Sequence, residues 1–205
     1  MKILLCIALV LNIFLFLSEG YILSRVRKKI DILKYYTYLQ NLLSVIVSIV
    51  SSIFITIHLI NNNPIPGFVR GIRYIATCGI IFASFMYIVF LSSNKENCFT
   101  KDDFNKLDYR KANLFLHYIC PIVSLLSFII FENQIVSETS IWTALVAIPS
   151  CLYWVIYLIL TYTKIWKAPY NFTSDKKHNI VVEIIGFISI PAIFILVSYV
   201  LWNIS

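Results

Sequence analysis

Six apolar runs divide the chain, at about 3–23, 35–60, 69–91, 112–131, 141–163 and 180–202. A hydrocarbon layer about 30 Å thick takes roughly 20 helical residues to cross, so each run predicts a transmembrane helix. The expected fold is all-α, a polytopic membrane bundle of six transmembrane helices forming one domain over 1–205. Asn61-Asn62-Asn63-Pro64-Ile65-Pro66-Gly67 reads as a turn between the second and third helices. Ser92 to Lys111 is the longest polar stretch. Within it Thr100-Lys101-Asp102-Asp103 has the form of a capping box, opening a short interfacial helix that leads into helix four. The first run admits a second reading, a signal peptide with Lys2 as its basic start and Ser18-Glu19-Gly20 as small residues near a cleavage point. The apolar character resumes at Tyr21-Ile22-Leu23 and the basic cluster follows it, which favours a membrane helix.

Polar residues inside the runs are not scattered. Thr37, Asn41, Ser44, Ser48 and Ser51 recur at three- and four-residue spacing along helix two, and so share a face. Asn113, His117, Cys120, Ser124 and Ser127 do the same along helix four, where Pro121 removes a backbone donor and is expected to bend the helix. In a membrane such a stripe turns towards other helices, where small and hydroxyl residues allow close packing. His58 stands at the far end of helix two, where headgroups or water are the expected surroundings. Glu183 lies about one turn inside helix six. Ionisable side chains at such depth are costly and count as functional candidates.

Composition agrees with the pattern. Sixty per cent of the residues are apolar and 13% are charged, about half the charged fraction of a soluble domain. The net charge of +7 bears on orientation rather than on nucleic acid, because the basic residues sit between apolar runs. Loops one, three and five hold 14 of the 17 Lys and Arg residues, leaving Lys2, Arg70 and Arg73 for the other side. Those three loops are therefore expected in the cytoplasm, with both termini outside. On that orientation Thr37, His117 and Glu183 all lie near the cytoplasmic starts of their helices, with Asn41 and Asn113 one turn away. A shared pocket is one reading of this common level; the general polarity of helix ends is the other. The five cysteines show no CxxC pairing or metal spacing; all but Cys98 lie in apolar runs, where small buried hydrophobes is their expected role. No cofactor and no metal is expected: a His-Glu-x-x-His metal motif is missing from the sequence, as is a serine nucleophile elbow.

Lys34-Tyr35-Tyr36-Thr37-Tyr38-Leu39-Gln40-Asn41 resembles the aromatic-Thr-x-x-Ser-Asn entry to the second helix of bacterial six-helix membrane proteins that are similar to the androgen-induced-gene membrane proteins of animals. Asn113-Leu114-Phe115-Leu116-His117-Tyr118-Ile119-Cys120-Pro121 resembles their Leu-His-aromatic-x-x-Pro stretch. Ile148-Pro149, Tyr153 and Tyr157 resemble their fifth helix, and Ala168-Pro169-Tyr170-Asn171-Phe172 the loop before their sixth. The resemblance covers most of the chain from Lys34 onward and implies an intramembrane hydrolase of fatty-acid esters of hydroxy fatty acids in a bacterial plasma membrane. It assigns the nucleophile to Thr37 and the base to His117. Gln40 departs from the family's Ser, and Ser127 stands where many bacterial relatives carry an acid.

A threonine hydroxyl becomes a nucleophile when a base accepts its proton, and an imidazole within hydrogen-bond reach suits that task. Asn41 or Asn113 would help hold an oxyanion, and Glu183 would orient the imidazolium. Membrane lipids and an amphiphilic ester substrate are the expected partners. The rival class is a non-catalytic membrane protein, either a transporter or a lipid- or partner-binding protein, since buried His and Glu also suit proton relays. Paired broken helices and repeat halves, which many transporters show, are not evident in the sequence.

Overall fold

The computed structural model describes residues 2–28, 33, 35–88, 104–105, 107–132, 145–166, 192–196, 198–200 and 203. The elements are α1 (Lys2–Ser24), α2 (Tyr36–Asn61), α3 (Gly67–Met86), α4 (Tyr109–Leu114), a π turn (Phe115–Ile119), α5 (Cys120–Glu132) and α6 (Ala147–Tyr162). Among the described residues the chain is all-helical, and four helices are long and apolar enough to cross a membrane: α1, α2, α3 and the continuous stretch Tyr109–Ile130. Helix α6 is apolar and shorter. The fifth and sixth expected helices are described only in part. The capping box at Thr100–Asp103, the loop at Ala168–Phe172 and Glu183 lie outside the described residues.

The helices are built for a lipid solvent. Ile46, Ile49, Ile53, Ile57 and Ile60 of α2 face outward, while Ser44, Ser48 and Ser51 are buried. That reverses the pattern of a soluble helix, and it is stable only where the surroundings are as apolar as the side chains. In α1 the buried positions are Leu5, Ala8, Asn12, Leu15, Glu19, Ile22 and Leu23. This stripe packs α1 against both α2 and α5, and α3 packs against the same two from the opposite side. The result is a four-membered ring, with the seryl faces of α2 and α5 turned towards its interior. The first run thus folds as an integral member of the bundle.

The turn at 61–67 forms as its composition predicts. Asn62 takes the left-handed conformation at φ 54° and its amide donates to the His58 carbonyl at 2.9 Å, closing α2. Nδ1 of His58 is within 2.7 Å of the Asn63 carbonyl oxygen, so its ring folds back on the turn. Pro66 caps α3, which begins at Gly67.

Helix four is interrupted where Pro121 requires it. In an α-helix the carbonyl of residue 117 accepts from the amide of residue 121, and proline has none. The chain widens into a π turn over Phe115–Ile119, a local form often associated with functional positions. The freed His117 carbonyl accepts instead from the Ser84 hydroxyl of α3. The expected bend is therefore a change of helical pitch that binds helix four to helix three.

Outside the ring an aromatic cluster joins α3 to α6 and to residue Phe194. It contains Tyr36, Tyr74, Phe82, Phe128, Tyr153, Tyr157 and Phe194, all buried. Phe82 and Phe194 meet edge to face at 4.7 Å, and the Tyr74 hydroxyl donates to the Ser198 carbonyl at 2.6 Å. Tyr36 is 2.7 Å from the Ser150 hydroxyl and 5.1 Å, ring to ring, from Tyr153. The fifth-helix tyrosines thus brace the residue that precedes Thr37.

Candidate functional site

Thr37, Asn41 and Gln40 occupy the first turns of α2, and all three are buried. The Asn41 amide donates to the Thr37 carbonyl at 2.7 Å, the carbonyl one turn back that helix geometry brings within reach. Its Oδ1 stays buried without a partner. The Thr37 hydroxyl has no hydrogen-bond partner among the described residues. His117 and Asn113 are buried on the opposite side of the ring, in the π turn and in α4. Tyr38 and Leu116, the chain neighbours of Thr37 and His117, belong to one apolar cluster with Ile22, Leu23 and Ala112. The two helix starts therefore stand at one end of the bundle, as their common level in the sequence suggested. Helices two and four face each other across the ring, each packed mainly on α1 and α3.

Helix α3 holds both sides. Tyr87 stacks on the His117 ring at 3.7 Å with planes 7° apart, and Ser84 takes the His117 carbonyl. On the other side Phe82 meets Tyr36 edge to face at 6.1 Å. Gln40 lies directly over Gly79: a Cβ at that glycine would collide with Gln40 Oε1 and come within 2.9 Å of its Cδ. Gln40 thus has a steric counterpart in a residue without a side chain. Ser127 accepts from the Asn12 amide at 2.9 Å.

Deeper in the ring lies a polar cluster drawn from all four helices. Arg73 is fully buried, and its guanidinium donates to the Ser124 hydroxyl at 3.2 Å and to the Ser124 carbonyl at 3.1 Å. Thr77 joins the same hydroxyl at 3.1 Å. Arg73 was counted in the sequence among charges outside the membrane; the structure corrects this and places it inside the bundle, where hydrogen bonds replace water. Glu19, read in the sequence only as part of a small-residue stretch, is also fully buried. The Ser44 hydroxyl and Cys120 thiol flank its carboxyl, and Arg73 acts on it through charge. Cys78 and Cys120 are buried as expected, whereas Cys6 is exposed on the outer surface. No group of three or more His, Cys, Asp or Glu residues suited to a metal occurs among the described residues.

Sequence reasoning missed Glu19, Arg73 and Asn12 because Glu19 was read with a small-residue stretch, Arg73 with the flanking charges, and Asn12 was not weighed. The available signal was their cost: an Arg and a Glu inside hydrophobic stretches demand partners. No protein-family model, curated protein or solved structure matches this chain.

Proposed function

We propose that the protein is an intramembrane hydrolase of amphiphilic lipid esters, with Thr37 as nucleophile and His117 as general base. The observation that carries this reading is a buried threonine, its hydroxyl without a hydrogen-bond partner among the described residues, and a buried histidine at the same end of one apolar bundle. In this reading the chain crosses a bacterial plasma membrane six times, with loops one, three and five in the cytoplasm. The acyl chain of the substrate lies along the bundle and the ester sits at interface depth.

Thr37 Oγ1 attacks the ester carbonyl carbon while the His117 ring takes the hydroxyl proton. The tetrahedral oxyanion is met by an Asn41 or Asn113 amide. Collapse breaks the ester C–O bond, and the alcohol leaves with the proton from the imidazolium. Water then cleaves the acyl-threonine by the same steps in reverse order of roles. The nucleophile–base hydrogen bond forms when substrate binds, as catalytic bonds commonly do. Glu183 orients the imidazolium.

A fluorophosphonate probe applied to the purified full chain in lipid tests this. Thr37 is expected to be modified covalently, and Thr37→Ala to abolish both labelling and ester cleavage. Folding stability should fall by only about 1 kcal/mol, the cost of the deleted buried methyl group. His117→Ala should slow cleavage by about two to four orders of magnitude. Folded protein that resists the probe and cleaves no lipid ester removes the assignment; transport activity without labelling assigns His117 to a proton relay instead.

A further inference from the structure

Glu19 takes no part in the proposed hydrolysis. It is fully buried in α1, and among the described residues neither carboxyl oxygen has a partner in ordinary hydrogen-bond geometry, although the Ser44 hydroxyl and Cys120 thiol lie close enough to act on it. The groups around it come from three other helices: the Ser44 hydroxyl from α2, the Cys120 thiol from α5 and the Arg73 guanidinium from α3. Of these, Arg73 and Cys120 are the charged and titratable ones, and Ser44 is a hydroxyl; the buried His117 belongs to the π turn that also packs on α1. Ser18, on the same helix as Glu19, turns its hydroxyl to Cys120 at 3.7 Å.

The α2 face continues away from Glu19 with Ser48 and Ser51. The hydroxyls of Ser44, Ser48 and Ser51 are all buried, and none makes a bond of ordinary hydrogen-bond geometry among the described residues. This is unlike their neighbour Ser52, whose hydroxyl satisfies itself on the Ser48 carbonyl at 2.7 Å. A carboxyl and three hydroxyls left open in one line inside a bilayer protein are costly. Ordered water relieves that cost where a site is polar and offers two to four partners. The line supplies such partners over about two helical turns of α2.

The chemistry of the surroundings selects the ligand. A hard metal cation needs six or more oxygen ligands, and a thiol is a soft one. The buried guanidinium of Arg73 acts against any added metal cation. A proton needs one carboxyl oxygen and one neighbouring acceptor or water. We propose that Glu19 is an internal proton-binding site, reached by water along Ser44, Ser48 and Ser51. The proton arrives from hydronium, leaving water, and departs to water by the reverse step; no other reactant is involved.

The full chain in lipid nanodiscs, titrated by infrared difference spectroscopy, tests this without reference to ester cleavage. A carboxyl C=O stretching band should appear as pH falls and vanish as pH rises. It should be lost in Glu19→Gln and be retained, shifted, in Glu19→Asp. A water-soluble carbodiimide, which modifies protonated carboxyls, should label Glu19 in the unsubstituted protein at low pH and lose that labelling at high pH; mass spectrometry reads the site without any variant. Ser48→Val should slow the deuterium shift of the band in heavy water. A folded protein with no titrating band and no pH-dependent labelling at Glu19 overturns the proposal. A band that titrates but whose deuterium shift is unchanged by Ser48→Val overturns the water route.

Discussion

Along the seam between α3 and α5 the ring interior is bonded: the Arg73 guanidinium and the Thr77 hydroxyl both bind Ser124 at 3.1–3.2 Å. At the level of Thr37 it is open: the Thr37 hydroxyl has no hydrogen-bond partner among the described residues, and Asn41 Oδ1 is buried without one. The residues of both regions are buried, so burial alone does not distinguish them. Satisfaction does. A closed network holds helices together, and its loss is felt as instability. An open level holds groups whose polar capacity is unspent, as a site that receives a ligand requires.

The largest test of this contrast is Arg73→Ala. It deletes both bonds to Ser124 and leaves Glu19 inside the bundle without its neighbouring positive charge. Removing one member of such a buried set costs about 3–5 kcal/mol. Denaturation of the purified protein in mixed micelles should show a loss of that order. A loss below about 1 kcal/mol would mean that the network is not what holds α3 to α5.

Gly79→Ala comes next and probes the joint between the two levels. The new Cβ meets the buried Gln40 side chain, and overpacking of this kind costs about 1–3 kcal/mol. Gln40→Ala in the same chain should restore most of it, since the clash has one named partner. Failure of the double variant to recover would place the strain in the helix backbones.

How much of this was legible follows from how each residue is recognised. Thr37, Asn41, Ser44, Ser48 and Ser51 repeat along one helix, and periodicity alone assigns them a face. The same holds for Asn113 through Ser127. Both faces are buried, as that argument requires. Asn12 and Glu19 are seven residues apart and Arg73 and Thr77 four, so each pair shares a face, but spacing does not name the partners that face meets. Their positions depend on which helix lies opposite, and neighbour relations in a ring are a property of tertiary packing. Pro121 announced a bend, because the missing donor is local. That Ser84 would fill the vacancy was not legible, since it comes from another helix 33 residues earlier in the chain.

The smallest expected effect concerns that last contact, and it bears on the site. Ser84→Ala removes the hydroxyl that accepts the role of the missing amide, leaving the His117 carbonyl buried and unmet. A single neutral hydrogen bond is worth about 1 kcal/mol, and a loss of that size is expected. Pro121→Ala restores an amide that competes for the same carbonyl and lets the π turn relax towards regular α-helix. In that background Ser84→Ala should cost less, with a coupling of about 0.5–1.5 kcal/mol between the two positions. Additive losses would show that the π turn is held by something other than the freed carbonyl. The double variant also rotates the residues on either side of the relaxed turn relative to each other. If the hydrolase reading is right, it should therefore reduce fluorophosphonate labelling of Thr37 more than its stability loss accounts for, because His117 sits within the turn and stacks on Tyr87. Labelling that simply follows the folded fraction would mean that the pitch of helix four does not set the position of the base.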